Sequence, residues 1–145
     1  MNEGEPHSPA RAASLEGLVD SLVSLAFEDS RVRALWIEAG EAASLRRPFA
    51  DVTVHAFADE PDFPDLVDSW EGILASITQL GTTSWSDTVR KARQLDAELR
   101  IDNSFRPLTF VLECAAYLAK RPRKAVVALV DKTGHLLHVM DFSRR

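Results

Sequence analysis

The sequence predicts an α+β fold, a mixed sheet of about five strands with helices packed on it, in one domain running from residue 14 to residue 145. Three observations carry this. Apolar residues recur at three- and four-residue steps in two segments, the mark of amphipathic helices. Other segments alternate apolar and polar with a period of two, or are apolar on both parities, the marks of half-buried and interior strands. The order is helix, strand, strand, helix, hairpin, short helix, strand, which is not the regular alternation of a parallel α/β sheet.

Residues 1–13 hold Gly4, Pro6 and Pro9 among charges and read as a disordered tail. From Ser14, a plausible cap, Leu15, Leu18, Val19, Leu22 and Leu25 trace a helix that Glu28-Asp29-Ser30 ends. Val32 to Glu38 is apolar on both parities and reads as an interior strand. Gly40 allows a tight turn, Glu41 to Leu45 can make a helical turn or two, and Arg46-Arg47-Pro48 stops it, because the residue before a proline is pushed out of the α region. Asp51 to Ala58 alternates, with Asp51, Thr53, His55 and Phe57 on one face and Val52, Val54 and Ala56 on the other. Polar groups gathered on one face at the start of a strand suggest a site.

Asp59 to Asp62 is a turn. Phe63, Leu66, Val67, Trp70, Ile73, Leu74 and Ile77 make a second helical stripe, with Pro64 tolerated in its first turn. Gln79 to Asp87 (QLGTTSWSD) reads as a loop, and Thr88 to Arg93 is ambiguous. Gln94 to Ile101 is a one-side-buried strand, expected to be antiparallel and near a sheet edge. Asp102-Asn103-Ser104 is turn chemistry, and Phe105 to Glu113 returns as its hairpin partner. Ala115 to Lys120 reads as a short helix stopped by Pro122, Lys124 to Asp131 as an apolar strand, and Leu136 to Met140 as a terminal strand.

No apolar run approaches the ~20 residues of a membrane span, and the polar start of the chain has no secretory h-region. The single cysteine, Cys114, excludes an internal disulfide and a CxxC metal site, and fits a reducing, cytoplasmic setting. The net charge of −5 conceals two opposed halves, −10 over residues 1–84 and +5 over residues 85–145. No basic run is interleaved with aromatics, so nucleic acid is not the expected partner.

The stretch RALWIEAGEAASLRRPFADVTVHAF, residues 33–57, resembles the core of the nucleotidyltransferase fold, as in aminoglycoside adenylyltransferases and small antitoxin-type nucleotidyltransferases. In that family the first strand ends in Gly-Ser, Asp-x-Asp follows on the second strand, and a third acid lies on a later one. The resemblance covers roughly residues 14–137. It places Ala39 and Gly40 at the Gly-Ser turn, Asp51 at the first acid, Thr53 at the second and Thr109 at the third. It implies Asp51 as the one retained catalytic and metal-binding acid, with Ala39, Gly40, Arg46, Arg47, Thr53, His55 and Thr109 as nucleotide-binding candidates.

Nucleotidyl transfer needs carboxylates converging on Mg²⁺ beside a triphosphate. A threonine hydroxyl is a poor substitute for a charged ligand, and Gly40 brings no hydroxyl to the phosphates. Glu38 and Glu113 either form a displaced carboxylate trio with Asp51 or are strand-end acids in water or paired with arginine. His55 is either a base or a packed strand histidine. Arg46 and Arg47 either grip phosphates or are solvated loop charges. His135 and His138 lack companions at metal spacing.

Three readings follow. The first is a catalytically degenerate nucleotidyltransferase-fold protein that binds a nucleotide or a protein partner, or self-associates, and needs no cofactor. The second is a divergent nucleotidyltransferase using Mg²⁺ with ATP or GTP to move a nucleoside monophosphate onto a small molecule or protein. The third is an unrelated α+β interaction domain.

Overall fold

The structure, a computed structural model, describes residues 14–38, 52–87, 92–114 and 126–132. Two helices, α1 (Leu15–Glu28) and α2 (Phe63–Ala75), accompany six strands: β1 (Ala34–Glu38), β2 (Thr53–Ala58), β3 (Leu80–Asp87), β4 (Arg93–Ile101), β5 (Ser104–Cys114) and β6 (Val126–Asp131). The strands form one sheet in the order β3-β4-β5-β2-β1-β6. β2 and β5 run parallel and every other neighbouring pair is antiparallel, so the sheet is mixed. No described helix is long and apolar enough to cross a membrane. The expected tail, residues 1–13, lies outside the described residues, as do the expected helices at 41–45 and 115–120 and the terminal strand at 136–140.

The strand count differs from expectation because Leu80–Asp87 is a strand, not a loop. Its sequence hid this. An edge strand packs little on either face, so only Leu80, Thr83 and Trp85 are half-buried and the rest are exposed hydroxyls, a glycine and an aspartate. β3 lies outside β4, which therefore sits one strand in from the edge. Between Leu80 and Thr83 the register slips by one residue. This is a β-bulge, in which two residues oppose one.

One face of the sheet carries both helices. Leu35 and Ile37 of β1, Val54 and Ala56 of β2, Leu95 and Leu99 of β4, and Phe110 and Leu112 of β5 meet Leu18, Leu22, Leu66 and Trp70 there in one buried cluster. This is the two-layer arrangement that the periodicities demand: each helix buries its stripe on the apolar parity of the strands. Ser14 caps α1, its Oγ accepting the Gly17 N–H at 3.0 Å. The β4–β5 hairpin closes through Asp102-Asn103, with Asp102 at φ 59°, a left-handed conformation that aspartate tolerates better than most residues.

The C-terminal end of α1 is tied to β6 and α2. Lys132 Nζ donates to the carbonyls of Ala26 and Asp29 at 2.9 and 2.8 Å, adding a second bond to oxygens that each accept one backbone N–H at the helix end. Arg31 binds both carboxylate oxygens of Asp29, at 3.0 and 2.7 Å, and its third nitrogen donates to Ser69 Oγ at 2.8 Å. The Arg31 hydrogen bonds hold the Asp29 carboxyl below its ordinary range of about 3.8. A depressed folded-state pKa contributes stability that is present above the unfolded value and lost as pH falls through the folded one. The stability gap between the protein and Asp29→Asn is therefore expected to be constant near neutrality and to shrink below about pH 3.8, read by urea unfolding at each pH.

Candidate functional site

The sheet's other face, opposite the helices, gathers the candidate residues that the structure describes. Strand alternation sends Thr53, His55 and Phe57 of β2 to this face, as expected from sequence, and Thr109, Val111 and Glu113 of β5 with them. The parallel register sets Thr53 directly against Thr109. The antiparallel register of the neighbouring pair sets Thr109 against Asp96 of β4. Thr53, Thr109 and Asp96 thus form a row across three strands. Thr109 Oγ1 donates to Asp96 Oδ1 at 2.9 Å, and Gln94 Nε2 approaches both Asp96 oxygens at 3.4 and 3.3 Å. Asp96 is exposed while the two threonines are half-buried, so this row opens to solvent at its β4 end.

Two residues further along β2 the environment is dry. His55 and Glu113 are 7% and 4% exposed, and His55 Nδ1 lies 3.5 Å from Glu113 Oε2. The pair forms an ion pair when the imidazole carries its second proton. Trp36 of β1, the cross-strand partner of His55, lies flat on the imidazole with centroids 5.1 Å apart and planes 13° from parallel. Phe57, two residues along β2 from His55, meets Trp36 edge-on at 5.9 Å. His55 is thus covered by a stacked ring on one side and faces a carboxylate on the other, with its Nδ1 making no hydrogen bond among the described residues.

Of the residues implied by the resemblance, Thr53, Thr109 and His55 are brought together on one sheet face. Asp51, Ala39, Gly40, Arg46 and Arg47 lie outside the described residues, as do His135 and His138. Glu38 ends β1, opposite Val126 of β6. Glu113 does share the face of Thr109, but it lies four residues further along β5, where its carboxylate meets His55 at the buried end.

Asp96 was not among the sequence candidates, though a signal for it existed. Counting back from the two-residue turn at Asp102-Asn103 pairs Ile101 with Ser104 and then Asp96 with Thr109. The alternation of β4 had already placed Gln94 and Asp96 on its polar side; what was missing was the neighbour.

The donor set decides what this face can do. A hard divalent cation takes several oxygen ligands with carboxylates among them. The row offers one carboxylate and two hydroxyls, and among the described residues no three His, Cys, Asp or Glu side chains converge as a metal-binding group. By themselves these three residues fall short of a Mg²⁺ centre, which would need a further carboxylate. They fit hydrogen bonding to a polar ligand at the open end, with His55 fixed behind. No protein-family model matches the chain, and no curated protein is significantly similar to it.

Proposed function

We propose that the chain is a catalytically degenerate nucleotidyltransferase-fold domain that binds a nucleotide without turning it over. One observation carries the reading: the parallel β2–β5 register aligns Thr53 with Thr109, the two positions at which the resemblance calls for acids. The frame of two adjacent strand positions is kept, and the charges that would hold catalytic cations are replaced by hydroxyls. Hydroxyls and the Gln94 amide can bond to phosphate or ribose oxygens without a metal.

A ligand that binds only the folded state raises stability by mass action, about 2.7 kcal/mol at one hundred times its dissociation constant. Thermal unfolding with millimolar ATP or GTP is expected to show a higher midpoint, equal with and without Mg²⁺, and incubation is expected to release no pyrophosphate. No shift with either nucleotide would overturn nucleotide binding at this face.

A second reading is favoured by Asp96, whose carboxylate stands 2.9 Å from the Thr109 hydroxyl. A carboxylate on the neighbouring strand supports a divergent Mg²⁺-dependent nucleotidyltransferase, one that moves a nucleoside monophosphate onto a small molecule or protein. This reading requires a Mg²⁺-dependent shift and pyrophosphate release, both abolished by Asp96→Asn. The binding reading instead predicts that Asp96→Asn leaves any nucleotide shift Mg²⁺-independent.

A further inference from the structure

β3 is an edge strand of eight residues, with no partner on its outer side among the described residues. Alternate residues of an edge strand turn their N–H and C=O groups outward. Yet every hydrogen bond and ion pair of β3 among the described residues goes inward. The strand ladder goes to β4, Thr82 bonds Glu98, the Trp85 indole donates to Glu71 on α2, and Asp87 pairs with Arg93 on β4.

Proteins ordinarily protect such an edge with lysine, proline, a covering element or a bulge. LGTTSWSD contains no lysine, arginine or proline. The bulge lies at one end, before Thr83, and leaves Thr83–Asp87 in regular register with β4. Thr83 and Trp85 are good strand formers, and Ser84 and Ser86 stand exposed on the opposite face.

We propose that β3 pairs antiparallel with β3 of a second copy about a two-fold axis through Trp85, joining the two sheets into one. The regular run is self-complementary in that register. Trp85 meets Trp85 of the second copy as a cross-strand aromatic pair. Thr83 meets Asp87, a hydroxyl donor opposite a carboxylate that remains 82% exposed beside Arg93. Ser84 meets Ser86, small and uncharged on both sides. The two Asp87 carboxylates fall four residues apart along the strands, about 13 Å, beyond the screening length of about 8 Å at physiological salt. No like charges oppose each other.

An isologous contact of this kind needs no adaptor, because one strand supplies both halves. Its area lies at the small end of specific interfaces, so the dimer is expected to form with a micromolar dissociation constant. This contact is independent of the nucleotide-binding reading, since it uses neither Thr53 nor Thr109.

Sedimentation velocity of the full chain from about 2 to about 500 µM tests it across the range where such an interface dissociates. The mass is expected to move from monomer to dimer. Ser84→Lys with Ser86→Lys places lysine opposite lysine at two exposed positions and is expected to raise the midpoint at least about tenfold. Ser84→Thr with Ser86→Thr, which keeps the strand neutral, is expected to dimerise like the parent. Amide exchange gives a second readout that needs no variant: alternate amides of residues 83–87 slow as concentration rises. A parent that stays monomeric throughout overturns the proposal. So does a lysine variant that dimerises as the parent does, which would move the contact to another surface, such as the one bearing exposed Leu25 and Phe27.

Discussion

Glu113→Ala is expected to lower the unfolding free energy by about 1–3 kcal/mol, the cost of leaving a buried polar group without its neighbour. The carboxylate is 4% exposed and faces an imidazole that is 7% exposed, so water cannot replace the lost partner easily. The loss is large beside a domain stability of about 5–15 kcal/mol. His55→Ala removes the same contact together with the Trp36 stack. The two effects are therefore not expected to add, and the double variant should cost clearly less than the sum of the singles. Urea unfolding of the four proteins measures this. Additive costs would mean that His55 and Glu113 do not act as a pair. A small cost for Glu113→Ala would mean that its carboxylate is effectively hydrated.

Trp70→Ala is expected to cost more, about 3–5 kcal/mol, for a different reason. Trp70 is the largest side chain that α2 sends to the sheet. It is fully buried and meets Phe110 of β5 edge-on at 6.0 Å. Removing it leaves a cavity between helix and sheet that neither can collapse to fill. Its indole Nε1 is buried without a hydrogen-bond partner among the described residues, and an unmade bond of that kind carries a penalty of about 1–3 kcal/mol. Trp70→Phe keeps most of the ring and discards the orphan donor, so it is expected to cost about 1.5 kcal/mol or less. Thermal unfolding distinguishes the two. If Phe were as damaging as Ala, the indole nitrogen would have to be bonded after all.

Much of this fold was legible because burial imposes a period. The stripes Leu15 to Leu25 and Phe63 to Ile77, and the alternation from Gln94 to Ile101, each pointed to their elements within a few residues. The strand at 80–87 was not legible, since an edge strand exposes both faces and leaves no period to read. The site was legible in part. Alternation placed Thr53 and His55 on one face, but nothing local to Glu113 announced that it would turn to His55. That contact depends on β2 and β5 lying side by side, and pairing between distant strands leaves no mark in either strand alone. Asp96 escaped for a related reason: its importance lies in being opposite Thr109.

The single parallel pair also divides the protein in time. β3, β4 and β5 follow one another in sequence and close through short connections, so their ladder can form at small entropic cost. β2 must instead find β5, joining residue 53 to residue 109, and β1 must find β6, joining residue 34 to residue 131. Contacts between distant residues come late because loop closure precedes their reward. The meander is therefore expected to nucleate folding, with Leu95→Ala and Leu99→Ala slowing the folding arm of a chevron plot. Ile37→Val and Val54→Ala are expected chiefly to quicken unfolding. On that schedule the Thr53–Thr109 row is assembled last and is the first part to come apart. The face proposed to receive a ligand is then the seam along which the molecule opens.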